Sequence, residues 1–407
     1  MSDNCKIQAE YIQFLKALIE MPSLSGEEGR IAGFVQQALE QIGVTPQVDE
    51  AGNVYGEIAC GEGPSVLLNG HLDVVPGGNL EAWKPYSPFK AAVEGDVLIG
   101  RGASDLKAGL AAQFFAFKRI KQALDAGASL KGRVIFSAVV HEEAAEMLGM
   151  QYLIDHTLAG EKIDLCILCE PSSGKIALGH RGKVELVVKT MGKTAHSSQP
   201  KQGINALEKM LPVMRYIFEE MPETLKGHPV LGDNSVTITD CIVRPGAQSI
   251  IPDECEISID RRYSPDETLE DVVRQLKVVL DGFAEKDPAF QAEVYPRAYC
   301  EKTYTGYTCE VNKYHPPWAT DQQIPIVKKA LDALESAGQK PECFYWKFGT
   351  DGGYTAGLRG IPTIGYSHAE EKWAHQPKEQ VSISQMMKTI QGTEAMLAAV
   401  LDLKKEV

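Results

Sequence analysis

The chain has 407 residues, a hydrophobic content of 44% and a net charge of -14. So acidic a balance argues against nucleic acid or an anionic membrane as partner, since both select a basic surface, and it favours a small soluble ligand. The length exceeds what one hydrophobic core usually supports, so two domains are expected.

Met1 to Lys6 does not resemble a signal peptide, and no run is apolar enough to span a membrane. The nine cysteines are odd in number and scattered, which points to reduced thiols and a cytoplasmic location. Cys166 and Cys169 fall in a run that reads as a buried strand, where residues three apart face opposite ways, so core packing is preferred to a metal or redox pair.

In chain order, Ile7 to Glu20 has helical apolar spacing, and Ser25 with Glu28 forms a capping-box signature for a helix ending near Gly43. After a turn at Gly52-Asn53, apolar runs at Val66-Leu68, Val134-Val140 and Leu165-Cys169 alternate with helical stretches at Leu106 to Leu124 and Met147 to Ile154. Runs apolar on both faces belong inside a covered α/β sheet. Residues 181–297 change character, reading β-α-β-β-α-β through Val184-Val188, Ile204 to Met221, Ser235-Val243, Glu254-Arg262, Thr268 to Phe283 and Phe290-Tyr295. That order predicts a ferredoxin-like α+β unit with a strand edge free for dimer pairing. The α/β pattern resumes with a helix over Ile324 to Ala337, strands at Cys343-Tyr345 and Thr363-Tyr366, and a closing helix from Ile383 to Leu403. The predicted organisation is therefore a large domain in two segments, 1–180 and 298–407, with residues 181–297 inserted.

Three apolar runs of the large domain end in potential ligands: His71 and Asp73, then Glu142 and Glu143, then Glu170. The carboxyl edge of such a sheet is where ligands bind. Any one of these residues alone reads as a solvated loop charge, but together with Asp105 and His375 they make the donor inventory of a two-metal hydrolase. In His141-Glu142-Glu143-Ala144-Ala145 the fifth position is alanine, so the helical zinc pattern HExxH is absent and His141 reads as a packing or loop residue.

The set His71-Leu72-Asp73, Gly100-Arg101-Gly102 with Asp105, Glu142-Glu143, Glu170-Pro171, Thr194-Ala195-His196-Ser197, Gly349-Thr350-Asp351-Gly352 and Ala374-His375-Gln376-Pro377 resembles the M20 metallopeptidase and amidohydrolase family. Asp260-Arg261-Arg262, Trp346-Lys347-Phe348 and Trp373-Ala374-His375 resemble its selenium-metabolism-linked hydrolase branch. The resemblance implies a zinc-peptidase-like α/β catalytic domain, with the inserted unit as lid and dimerisation domain. It implies two divalent ions per chain, Zn2+ with Co2+ or Mn2+ as alternatives, one held by His71, Asp105 and Glu170 and the other by Asp105, Glu143 and His375. By the same resemblance Asp73 hydrogen-bonds the second nitrogen of His71, Glu142 is the general base, and His196 reaches into the partner's site across a homodimer. The resemblance makes Arg262 a clamp for a substrate carboxylate, with a solvent-exposed salt bridge as the rival reading. The glycine-rich turn at Gly349 and Thr350 offers backbone amides to a carboxylate, with a plain helix-capping turn as its rival.

Two departures bear on substrate. Gln248 precedes Ser249-Ile250-Ile251-Pro252 where several relatives have asparagine, and Tyr354 stands where desuccinylases carry arginine. Trp318, Tyr345, Trp346 and Trp373 are candidates for the pocket wall. The expected activity is hydrolysis of a small N-acyl amino acid or dipeptide-like amide. The alternatives are hydrolysis of an N-carbamoyl (ureido) acid and, from another class, a non-catalytic metal-binding scaffold, against which the free carboxylate of Glu142 argues.

Overall fold

Alternation along the apolar runs sends successive side chains to opposite faces of one sheet. In the computed structural model, which describes residues 3–340 and 342–404, Val66 and Leu68, Val134 and Phe136, and Leu165 and Ile167 join one buried cluster. Leu67, Ile135, Cys166 and Leu168 join another on the opposite face. Cys166 and Cys169 accordingly lie in different clusters, and none of the described cysteines forms a disulfide.

Among the described residues the large sheet has nine strands. Its spatial order is Gln47–Val48, Val54–Cys60, Gly132–Val139, Ser65–His71, Leu165–Leu168, Thr363–Tyr366, Ile176–His180 and Trp318–Ala319, with Cys343–Trp346 also paired to Ile176–His180. The four strands from Gly132–Val139 to Thr363–Tyr366 are mutually parallel. Their carboxyl ends therefore open on one edge. Helices Asp3–Ile19, Lys107–Asp125 and Ile383–Val400 cover one face through Leu15, Phe115 and Ile390. Met150, Leu153, Trp318, Trp346 and Tyr354 close the other. Trp318 and Trp346 are thus packing residues.

A second sheet begins at Gly182–Met191, and its order is Ser235–Arg244, Glu254–Tyr263, Gly182–Met191, Gln291–Pro296, all antiparallel. This is the ferredoxin-like arrangement. The short strand Tyr314–His315, which lies beyond residue 297, adds to Gly182–Met191 as a fifth strand. Helices Ala206–Arg215 and Leu269–Lys286 cover one face, where Met210, Val213, Leu276 and Leu280 meet Val184, Leu186 and Ile257. Thr268 caps the second helix in a reciprocal pair with Asp271. The capping box expected at Ser25 and Glu28 does not form. The helix runs Gly29–Gln41 without a side-chain cap, because the Ser25 hydroxyl donates to Asp73 at 2.7 Å and Glu28 is buried, accepting the His141 amide at 3.3 Å. No helix among the described residues is long and apolar enough to cross a membrane.

Candidate metal centre

The strand Ser65–His71 is buried throughout and carries His71 to the carboxyl edge. Two donor sets converge there: His71, Asp105 and Glu170, and Asp105, Glu143 and His375, the donor atoms of each lying within 4.8 Å of one another. Asp105 is common to both. Its Oδ1 lies 3.4 Å from His71 Nε2 and its Oδ2 lies 3.4 Å from His375 Nε2, so each oxygen serves a different imidazole. Glu170 Oε1 is 3.7 Å from His71 Nε2, and Glu143 Oε2 is 3.0 Å from His375 Nε2.

Two buried carboxylates that are not themselves donors shape the centre. Glu379 accepts the amides of Gly102, Ser104 and Asp105 at 3.0, 2.7 and 2.8 Å, and Arg101 Nη1 at 2.6 Å. It folds the loop that presents Asp105. Gly102 is required in that loop, since its φ is +83° and a Cβ would sit 2.9 Å from both Lys107 Cδ and Val74 Cγ1. Asp73 accepts the amides of Glu142 and Glu143 at 3.1 and 3.0 Å. With His141 left-handed at φ 54°, this turns the chain sharply after the strand and sets the two glutamates at the cleft. Asp73 therefore acts differently from expectation. Its backbone carbonyl accepts His71 Nδ1–H at 2.8 Å, whereas its carboxylate lies 3.6 Å from that nitrogen and is occupied by the glutamate turn. The tautomer of His71 is still fixed with Nε2 toward the donor set.

The local electrostatics describe a site short of positive charge. Burial and the charge of Asp105 raise the carboxyl of Glu170 well above its ordinary range. Burial likewise raises Glu142, with Glu170, Asp351 and Glu143 adding to it, and burial with the charge of Asp105 raises Glu143. At His71 burial opposes protonation, but the contact to Asp105 and the charges of Glu170 and Glu142 raise it well above normal. His375 is pushed up to about 10 by Asp105 and Glu143. Divalent cations relieve both tendencies at once, because they favour ionised carboxylates and neutral imidazoles. Buried His71 Nε2 has no hydrogen-bond partner among the described residues. Nitrogen and oxygen donors with an orphaned imidazole nitrogen fit a pair of divalent ions.

The donor sets open on a cleft of about 350 Å³ lined by Glu142, Glu143, Glu146, Lys183, His315 and Phe348, among others. The carboxylate of Glu142 makes no hydrogen bond among the described residues, while its neighbour Glu143 faces His375. Several predicted residues lie elsewhere. His196 is exposed and bonded through Nδ1 to Ser198 at 2.7 Å, outside the cleft wall of its own chain. Arg262 spends its guanidinium on Asp260, at 2.7 and 3.2 Å. Gly349 lines the cleft, but Thr350 is buried and its amide donates to His180 Nε2 at 3.0 Å, while the Gly352 amide donates to Thr350 Oγ1 at 3.2 Å. The amides of Thr350 and Gly352 are therefore engaged, and the Thr350 amide is not free for a substrate carboxylate. His141 is buried beside Glu28, outside both donor sets.

Glu379, Glu146, Lys183 and His315 were not legible as site residues. Glu379 follows His375 by four positions in a polar segment, where one more glutamate carries no signal. His315 reads as a lone histidine before Pro316-Pro317, and only the return of its strand to the small sheet brings it to the cleft.

Comparison with known proteins gives the same chemistry a family. The model of peptidase family M20/M25/M40 matches residues 67–399. The uncharacterised protein YgeY of Escherichia coli (strain K12) is 30% identical over 379 residues, covering 92% of this chain and 90% of that protein. A succinyl-diaminopimelate desuccinylase of Legionella pneumophila (strain Corby) is 32% identical over 265 residues, covering 63% and 69%. The crystal structure of the Bacillus subtilis YXEP protein, a dinuclear metal-binding peptidase of the M20 family, superposes with a TM-score of 0.68 at 16% identity, covering 97% of this chain and 99% of that one.

Proposed function

The chain belongs to peptidase family M20/M25/M40, whose members are metal-dependent hydrolases of peptide and amide bonds, and from that premise we propose that it cleaves the amide bond of a small N-acyl amino acid or dipeptide-like substrate. The observation that carries this reading is the free carboxylate of Glu142 beside two donor sets that share Asp105. A metal-binding scaffold has no use for it. The cleft of about 350 Å³ suits a substrate of a few residues at most. Held by those sets, two zinc ions would polarise the carbonyl under attack and acidify water. Glu142 takes a proton from the attacking water and returns it to the departing amine, one group serving as base and then acid. Asp73 fixes where Glu142 stands, and His71 and His375 hold the line of the centre. Nine free cysteines support a reducing, cytoplasmic setting.

Two expected results test this. Metal-replete protein is expected to carry two zinc-like ions per chain by elemental analysis, to lose activity on chelation, and to regain it at two equivalents. Absence of bound metal with activity indifferent to chelators would sink the reading. Turnover of acyl amino acids and dipeptides, but not ureido acids, is expected on a substrate panel, and the reverse would favour carbamoyl hydrolysis.

We also infer a homodimer through the inserted domain, with His196 acting in the partner's cleft. The support is an exposed edge strand, Ser235–Arg244, paired on one side only, and an exposed His196 that its own chain leaves outside the cleft. Such edges invite pairing. Mixing inactive Glu142→Gln chains with inactive His196→Ala chains is expected to restore activity, because each mixed dimer holds one site with both residues intact. No recovery from proven mixed dimers, or full activity from a monomer, would refute action in trans.

A further inference from the structure

The small sheet ends at the cleft in a row of nitrogen-bearing side chains. Lys183 is the register partner of Arg262 on one side and of His315 on the other. Directly opposed residues of antiparallel strands share a face, so three nitrogen-bearing side chains stand side by side. Their neutralisation is uneven. Arg262 is chelated by Asp260, and His315 Nδ1 is in ion-pair contact with Glu146. Lys183 has no hydrogen-bond partner among the described residues, and its one ion-pair neighbour, Glu146 Oε1, lies 4.0 Å away. The adjacent Glu185 is already engaged by Arg297 and Lys313. Lys183, His315 and Glu146 all line the cleft that contains the metal-ligand sets.

His315 and Glu146 are built in. Their side chains are 9% and 8% exposed, and His315 Nε2 has no partner among the described residues. The ring packs against the backbone of Gly349, where a Cβ would come within 2.4 Å of Cγ. Glu146 is itself left-handed, at φ 48°, three residues beyond Glu143. Holding a non-glycine residue in that conformation costs about 1–3 kcal/mol, which is tolerated where the surroundings over-determine it. Here the turn that carries Glu142 also carries the acid that positions His315.

We propose that Lys183 and His315 form an anion subsite, positioned by Glu146, that receives the free carboxylate of the substrate; this rests on the hydrolase reading above. Arg262 is matched by Asp260, whereas the Lys183 ammonium, 4.0 Å from Glu146 and without a hydrogen bond among the described residues, keeps its donors for an incoming anion. An ammonium and an imidazole nitrogen can together satisfy a carboxylate oxygen pair in a cleft partly closed to water. The neighbouring His180 senses the same field, its pKa pushed down to about 3 by burial and by the charges of His315 and Arg262. The subsite reads the carboxylate with residues other than Arg262, whose charge is already taken.

The test compares free acids with their carboxamides, using N-acetyl-alanine, N-acetyl-methionine and N-acetyl-arginine and the three matching amides. Binding is measured by calorimetry on metal-loaded Glu142→Gln protein, where turnover is blocked, and kcat/KM is measured on protein with Glu142 intact. At least one acid is expected to bind about tenfold or more tighter than its amide. Adding Lys183→Met, a change at a side chain 27% exposed, is expected to abolish that preference, and Lys183→Arg to restore most of it. Glu146→Gln is expected to weaken the preference through KM rather than kcat. Equal binding of acid and amide, no binding by any of the six, or a preference that survives Lys183→Met overturns the subsite. Tight binding of acids without turnover would instead remove the hydrolase reading and leave the subsite standing.

Discussion

Glu142→Gln is expected to lower kcat by at least about a hundredfold, the usual contribution of a positioned acid-base group, while leaving two metal ions per chain in place. The amide keeps the shape of the side chain but cannot accept the proton of the attacking water. Among the described residues Glu142 belongs to neither donor set, and its backbone amide remains bonded to Asp73. Glu143→Gln should separate from it cleanly. That carboxylate faces His375 at 3.0 Å, so its loss is expected to reduce metal affinity and to be partly rescued by excess metal. Stopped-flow or steady-state rates with metal analysis on the same samples make the comparison. A Glu142→Gln protein turning over at the wild-type rate would remove the proposed base, and one depleted of metal would reassign Glu142 as a ligand.

How much of this was legible in the sequence depended on whether a residue's role was local. His71, Glu143 and Glu170 follow apolar strands directly, so strand alternation and chain direction suffice to place them on one edge. The β-α-β-β-α-β order gave the small domain for the same reason. Asp73 shows the limit. Two residues from a histidine, it reads as that ring's partner, yet the backbone carbonyl meets the ring and the carboxylate is drawn to amides 69 and 70 residues away. Ser25 and Glu28 fit a helix start, but tertiary partners outbid a local cap, the Ser25 hydroxyl going to Asp73. Arg262 alternates correctly along its strand, and alternation does not reveal that Asp260, two residues back on the same face, already holds it. Glu379 and His315 depend on contacts 274–278 and 169 residues distant in sequence. No spacing rule spans such separations.

Asp105→Asn is expected to be the more damaging change at the centre, lowering kcat/KM by about a thousandfold or more and reducing metal content at both positions. The argument follows from the shared carboxylate: Oδ1 and Oδ2 each face a different histidine at 3.4 Å, so the isosteric amide presents one oxygen and one N–H and cannot serve two cations. Metal-derived charge stabilisation amounts to several kcal/mol, and each 1.36 kcal/mol is about tenfold in rate. Loss of the loop is not the cause, because Glu379 grips the backbone amides of Gly102, Ser104 and Asp105 and Arg101 rather than the Asp105 side chain. Far-ultraviolet circular dichroism of the metal-free protein should therefore match that of the unaltered chain. Burial opposes ionisation of Asp105, yet His375 and His71 hold its carboxyl well below the ordinary range, so the group replaced is a charged one. Excess metal is expected to fill at most one position without restoring turnover. An Asp105→Asn protein with two ions per chain and activity within about tenfold of normal would show that the two donor sets do not depend on a common carboxylate.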